Sequence, residues 1–395
     1  MNNYINLILK PGKEQSVKRL HPWIFSGAIM KTEGNPNEGD IVQVLSDKME
    51  YLATGHYQRG TITVRVLSFI KQELNQEFWT SSIGNAWALR EFAFISTNGE
   101  SNIFRLVNGE GDWLPGLIID YYNGHIVMQL HSVGMYKSRH LIVNALQEVL
   151  KENLKSIFDK SSGTLPFKVG IELKDEFLFG KEEKIVVNEY GNSFLIEPVG
   201  GQKTGFFIDQ RENRKLLGAY SQGRTVLNMF SYSGGFAVYA LQGKADLVHS
   251  VDSSVKAIDL ADKNINLNFG NTDKHVSFAM DAYSFFEKAE KIYDLIILDP
   301  PAFAKHQNVI GNALQGYKKL NRKAINLIKP GGIIFTFSCS QALTREDFKR
   351  SVFTAAAYTG RKVTILHQLS QPPDHPISIY HPEGEYLKGL VLRVD

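Results

Sequence analysis

The sequence predicts an α/β protein. Its larger part is a doubly wound, seven-stranded and largely parallel sheet that closes with an antiparallel hairpin. A small β domain and an α+β linking segment precede it. Three observations carry this reading. Apolar runs at 225–230, 247–251, 276–279, 295–299 and 333–337 alternate with helical stretches, as parallel strands buried on both faces do. Two more runs, at 362–369 and 387–394, follow with no helix between them, which indicates a hairpin. Upstream, runs such as Ile41-Val42-Gln43-Val44-Leu45 and Thr61-Ile62-Thr63-Val64-Arg65-Val66 alternate with period two between Gly, Asn and Asp turns.

Taken in order, residues 1–72 read as the β domain, with Gly34-Asn35-Pro36-Asn37-Glu38-Gly39-Asp40 as a loop. Residues 73–190 mix elements: a helix over 77–95, strands near 105–107, 116–121 and 125–131, a helix over 137–153 and a loop at 161–166. Residues 191–395 form the strand-helix domain. Its helix after 333–337 has a start signal in Thr344, with Asp347 three residues on at the positive end of the helix dipole.

Composition narrows the function classes. With 44 Lys and Arg against 41 Asp and Glu, the net charge is only +3, so contact with a polyanion must come from a local patch. One cysteine, Cys339, excludes an intrachain disulfide framework and argues against a cysteine-based zinc site, and no metal is expected. No apolar stretch is long enough to span a bilayer, and Met1-Asn2-Asn3-Tyr4-Ile5-Asn6 lacks the basic start and apolar core of a signal peptide, so the chain reads as cytoplasmic. The oligomeric state stays open, a homodimer included.

The carboxyl ends of the expected strands carry the chemistry. Strand 225–230 opens into Ser231-Tyr232-Ser233-Gly234-Gly235-Phe236, a glycine turn where backbone can approach a ligand. The turn departs from the G-x-G-x-x-G dinucleotide fingerprint. About twenty residues on, Asp252 ends the next strand, where an acid accepts from ribose hydroxyls or caps a helix, two readings of equal weight. Asp281 follows the third strand and Asp299-Pro300-Pro301 the fourth. Cys339 follows the fifth, in Phe337-Ser338-Cys339-Ser340. A lone cysteine is usually a packing residue, but ligands bind at this edge of an open α/β sheet.

This series resembles the S-adenosylmethionine sites of class I methyltransferases. The resemblance then narrows over nearly the whole chain. The runs Gly201-Gln202-Lys203-Thr204-Gly205-Phe206-Phe207-Ile208-Asp209-Gln210-Arg211, Asn228-Met229-Phe230-Ser231-Tyr232-Ser233-Gly234-Gly235-Phe236, Phe337-Ser338-Cys339-Ser340, Asp374-His375-Pro376 and Pro382-Glu383-Gly384-Glu385-Tyr386-Leu387-Lys388-Gly389 are similar to the bacterial ribosomal RNA large subunit methyltransferase I family, in the family's order. The resemblance implies a PUA-like RNA-binding domain over 1–72, an α+β central domain over 73–190 and a Rossmann-like methyltransferase over 191–395. It implies S-adenosyl-L-methionine as cofactor and formation of 5-methylcytidine in 23S rRNA. It assigns Cys339 and Asp299 to catalysis. To the cofactor it assigns Lys203, Phe207, Asp209, Asn228, Phe230, Ser231, Tyr232, Gly234, Gly235, Asp252, Asp281, Asp299 and Pro300.

Carbon 5 of cytosine is a poor nucleophile until a thiolate adds to C6, and cysteine is the side chain suited to that step. Asp299 is the candidate donor at N3. Several RNA cytosine-C5 methyltransferases carry a second cysteine after the Asp-Pro motif; here Ala302 and Phe303 follow Pro301, so the C5 proton leaves to Glu385, Asp299 or water. Phe303 is read as stacking on a flipped base, narrowly ahead of packing. For RNA, Lys10, Lys13, Lys18, Arg19 and His21 gather before Pro22-Trp23-Ile24-Phe25, cations beside aromatics, against the alternative of a solvated charged loop. Arg211, with Arg214 and Lys215, either lines an RNA groove or pairs locally, and Lys305 and His306 read as a surface loop. Three rivals remain: a methyltransferase acting on a small molecule or protein, a non-catalytic RNA-binding assembly factor, and methylation at uridine C5.

Overall fold

The computed structural model describes residues 4–93, 100–165, 173–182, 184–303 and 310–395. Lys305 and His306, and the last two residues of the helix expected over 77–95, lie outside them. The chain divides into two compact units, neither continuous in sequence: Met1–Val187 with Ile196–Phe206 and Pro373–Gly384, and Asn188–Leu195 with Phe207–Pro372 and Glu385–Asp395.

The first unit holds two sheets. Six strands order as Trp23–Phe25, Ile62–Ser68, Tyr51–Tyr57, Ile41–Leu45, Ile5–Leu9 and Ile29–Glu33. Their alternating inward residues, among them Leu7, Val42, Val44, Val64 and Val66, form one core. Five strands, Glu176–Phe179, Ser156–Asp159, His125–Leu130, Leu117–Tyr122 and Ile103–Asn108, form the second sheet. Its core also takes in the inward faces of the helices Gln76–Ala93 and Arg139–Leu150. A buried ion pair ties this unit to a remote piece of its own chain. Arg90 pairs with Asp112 and donates to the Asp374 carbonyl at 2.9 Å, while the Asp374 carboxylate accepts from the Arg105 amide at 3.0 Å. The Asp374-His375-Pro376 motif is thus fixed inside the first unit.

His56 gives this unit an acid sensitivity. Its ring is 2 % exposed and stacks on Trp79 at 6.4 Å, with Nε2 3.3 Å from the Ser138 hydroxyl. Burial pushes its pKa down to about 3, helped by the charges of Arg65 and Lys137. The unfolded chain therefore binds a proton below about pH 6.5 that the folded unit refuses, so stability present above that pH is lost as pH falls. Between pH 7 and pH 4.5 the loss from this one group is expected to be about 2–3 kcal/mol. All four tryptophans lie at or before Trp113, so melts followed by tryptophan fluorescence report this unit alone. His56→Gln is expected to flatten the acid limb of those melts; an unchanged limb contradicts the account.

In the second unit seven strands are labelled β1 (Thr225–Met229), β2 (Leu247–Asp252), β3 (His275–Ala279), β4 (Leu295–Leu298), β5 (Gly332–Ser338), β6 (Val363–Leu369) and β7 (Lys388–Val394). They form one sheet in the order β3-β2-β1-β4-β5-β7-β6. The first five are parallel, and β7 runs antiparallel between β5 and β6. The doubly wound sheet with a terminal hairpin is the fold class that the apolar runs predict. Strands β4 and β5 are buried at every residue, each large apolar side chain stabilising by roughly 1.5–3 kcal/mol. Helices α1 (Arg211–Ala219), α2 (Gly235–Gln242), α3 (Val255–Phe269), α4 (Ala282–Lys288), α5 (Ile310–Leu327) and α6 (Arg345–Ala357) complete it. Helix α6 begins with the expected Thr344 cap, reciprocated by Asp347 as a capping box.

Candidate active site

The reversal of strand order beside β1 puts a crevice at the carboxyl ends of β1, β4 and β5. The turn after β1 is conformationally demanding. Phe230 and Tyr232 both hold left-handed φ values, 60° and 43°, on either side of Ser231, and Gly234 follows at 73°. Asp252 holds the turn in place: one carboxylate oxygen accepts from the Tyr232 amide at 3.0 Å, the other from the Ser254 amide at 2.9 Å. The glycines have a packing reason. A Cβ on Gly234 would lie 2.9 Å from the Ala261 Cβ of α3, and one on Gly235 would lie 3.1 Å from Arg214 Cδ. They let helices close up beneath the turn, and the backbone left above it faces the crevice.

Two groups at this edge are orphaned. Asn228, the fourth residue of β1, is buried, and both polar atoms of its side chain lack a hydrogen-bond partner among the described residues; the Ser231 hydroxyl does too. Such groups cost about 1–3 kcal/mol each when left unsatisfied, and a bound polar ligand is the ordinary remedy. Around them, Phe207 and Tyr232 meet edge to face at 5.2 Å, and Tyr386 Oη donates to Asp209 at 2.8 Å. Asp281 caps α4 through amides of Tyr283 and Ser284. These donors, acceptors and rings suit a nucleoside carrying an amino acid. Lys203 lies in the first unit, exposed, with φ 48°.

Cys339 sits just past β5, partly exposed, with Sγ 3.9 Å from the Pro300 carbonyl oxygen, so the turns after β4 and β5 meet at the thiol. The half-buried Asp299 immediately precedes that proline. The flanking serines are held from below: Ser338 Oγ donates to Tyr317 Oη at 2.9 Å, and Tyr317 Oη shares a 3.0 Å hydrogen bond with Ser340 Oγ. Burial raises the Tyr317 pKa, and the Cys339 charge adds to the rise, so the phenol stays neutral. Glu385 is held by Arg345 through contacts of 2.5 and 3.2 Å.

Two expected RNA contacts meet neighbours of their own unit, and the first is corrected. The Arg211 side chain is 2 % exposed and lies against Glu212 at 3.2 Å, so its guanidinium is not presented to a phosphate backbone. Phe303, partly buried, packs its ring on Tyr317 at 4.7 Å and against Gly316, the packing alternative to stacking. Arg214, the local alternative, forms a buried bidentate pair with Glu189. The cations of the first unit remain outward. Lys10, Lys13, Lys18 and Arg19 are exposed on and around a five-residue helix, Lys10 donating to the Gly27 carbonyl and Lys18 lying 3.7 Å from Glu50.

Sequence reasoning missed two features. Lys388, the first residue of β7, is buried, and its ammonium donates to the Ser340 and Tyr386 carbonyls at 2.8 and 2.9 Å. Helix α5 carries Lys318, Lys319, Arg322 and Lys323 and no acid in 18 residues, beside a groove of about 810 Å³ lined by Tyr283, Gln315, Lys319, Arg322 and Lys323. The i, i+4 like-charge spacing was the available signal for the second. Among the described residues no cluster of His, Cys, Asp or Glu stands where it could hold a metal, and no helix is long and apolar enough to cross a membrane.

Comparison with known proteins accounts for this arrangement. A PUA-like domain model matches residues 7–69, and an S-adenosylmethionine-dependent methyltransferase model matches residues 172–393. A crystal structure described as a methyltransferase complexed with S-adenosylhomocysteine superposes with a TM-score of 0.84 at 25% identity, covering 98% of this chain and all of that one. The protein is an S-adenosylmethionine-dependent methyltransferase, and the orphaned Asn228 and Ser231 fit its cofactor. Curated relatives named ribosomal RNA large subunit methyltransferase I include those of Tolumonas auensis, 39% identical with 98% of each chain covered, and Enterobacter sp. strain 638, 36% identical with 99% of each covered. The chain belongs to that family.

Proposed function

We propose that the protein methylates C5 of one cytidine in 23S rRNA, with Cys339 as a covalent nucleophile. The observation that carries this reading is the position of the only cysteine, at the meeting of the β4 and β5 turns, beside Asp299-Pro300 and two strands from Asn228. The family supports the RNA substrate, and the exposed cations near Lys13 together with the basic groove along α5 offer phosphate contacts.

The cofactor, when bound, supplies an electrophilic methyl group on a sulfonium. The Cys339 thiolate adds to C6, and the displaced π pair makes C5 nucleophilic; Asp299 donates a hydrogen bond at N3 to offset the charge on the ring. C5 takes the methyl group, its proton leaves to a base, and the S–C6 bond breaks to restore the aromatic ring. Glu385 is already committed to Arg345, and Asp299 holds its proton while it donates at N3, which leaves a water as the better-placed base.

Mass-spectrometric and bisulfite mapping of rRNA from a strain lacking this gene tests the reading. One 5-methylcytidine in the large-subunit RNA is expected to vanish and to return with the wild-type gene. Loss of a 5-methyluridine instead would move the reaction to uridine, and an unchanged map would end the proposal.

A further inference from the structure

Lys388 has no role in the chemistry so far, yet its placement is costly. It pairs directly opposite Ser338 in the β5–β7 register, and its side chain reaches the carbonyl of Ser340. It therefore spans the three-residue turn whose middle residue is Cys339. Its ammonium meets the neutral carbonyls of Ser340 and Tyr386, and no carboxylate lies within ion-pair distance of it among the described residues. A buried ammonium without a carboxylate loses its hydration and is not repaid by neutral carbonyls alone. Folds keep such a charge where another charge of opposite sign will appear.

We propose that Lys388 is a positioning residue whose ammonium holds Cys339 as the thiolate, so that the nucleophile is formed before RNA arrives. The thiol proton leaves to water, and the negative sulfur is stabilised by the cation across the turn. The inference rests on Cys339 being the nucleophile. The other charged or titratable groups around the turn are Tyr317 from α5, Arg345 from α6, Glu385 beside β7 and Asp299 after β4. Tyr317 is neutral, and Arg345 and Glu385 pair with each other, which leaves Lys388 as the uncommitted cation. Burial brings the Lys388 pKa down to about 8, with Glu385 and Cys339 opposing the fall. The ammonium is thus the main form at neutral pH, and its hold on sulfur fades above about pH 8.

The lone cysteine makes the test clean, since every alkylation event reports Cys339. Iodoacetamide labelling of the full-length protein, followed by intact mass from pH 5 to 10, gives the titration of the thiol without any RNA. In wild type the labelling midpoint is expected below the ~8.5 of a free cysteine. In Lys388→Met, labelling at pH 7 is expected to slow about tenfold with the same plateau at high pH, and Lys388→Arg is expected to keep most of the wild-type profile. Retained S-adenosylmethionine binding shows that each variant is folded. A wild-type midpoint at or above 8.5 overturns the proposal even if Lys388→Met fails to fold, as does a Lys388→Met profile that superposes on wild type. Because labelling does not depend on turnover, a low midpoint alongside full methylation by Cys339→Ala would instead indict the covalent mechanism.

Discussion

Replacing Cys339 with alanine is expected to lower methyl transfer on the order of 10³-fold or more, while the affinity for S-adenosylmethionine stays within about twofold. The separation follows from geometry. The orphaned groups suited to the cofactor, Asn228 and Ser231, lie at the end of β1, and the thiol lies two strands away past β5. The thiol is partly exposed and approaches the Pro300 carbonyl at 3.9 Å, and alanine keeps the Cβ, so the substitution removes nucleophilicity with little packing. Cys339→Ser is expected to be nearly as inactive, because a hydroxyl is a far weaker nucleophile at neutral pH. Transfer of labelled methyl groups to large-subunit rRNA, measured beside calorimetric titration of the cofactor, checks both halves. Full transfer by Cys339→Ala would exclude addition at C6.

The largest effect on stability is expected from Arg214. Its guanidinium donates to both carboxylate oxygens of Glu189 at 2.9 and 2.8 Å and to the Phe207 carbonyl at 2.8 Å. The Tyr239 hydroxyl donates to the same carboxylate at 3.1 Å, and Arg214 and Glu189 are both fully enclosed. Arg214→Met strands a buried carboxylate and should cost about 3–5 kcal/mol. For a unit of this size that lowers the melting temperature by roughly 10 °C. Adding Glu189→Gln should recover part of the loss, since the uncompensated charge is then gone. Far-ultraviolet dichroism melts of the three proteins decide it; equal single and double losses would show that packing, not charge, is what Arg214 supplies.

The parts legible in the sequence are those encoded locally. Buried parallel strands appear as apolar runs, and the Thr344–Asp347 box spells out a helix start. What escaped is what depends on distant partners. Arg211 and Arg214 read either as groove cations or as local pairs because nothing near them announces burial, and the Arg214 partner, Glu189, lies 25 residues away in sequence. Lys388 opens a strand, where a charged residue usually faces water; only the pairing of β7 with β5 puts it under the Cys339 turn. Phe303 reads narrowly as a stacking platform, because the sequence does not show that Gly316 leaves a space for its ring.

The insertion of β7 between β5 and β6 has a consequence for synthesis. A ribosome releases β5 and β6 while the strand that must separate them is still unmade, so they cannot reach their final places in order of emergence. Until residue 394 has cleared the exit tunnel, β5 keeps an open edge, and neither Lys388 nor Glu385 is beside Cys339. A largely apolar β5 with one edge open is an aggregation hazard during that interval.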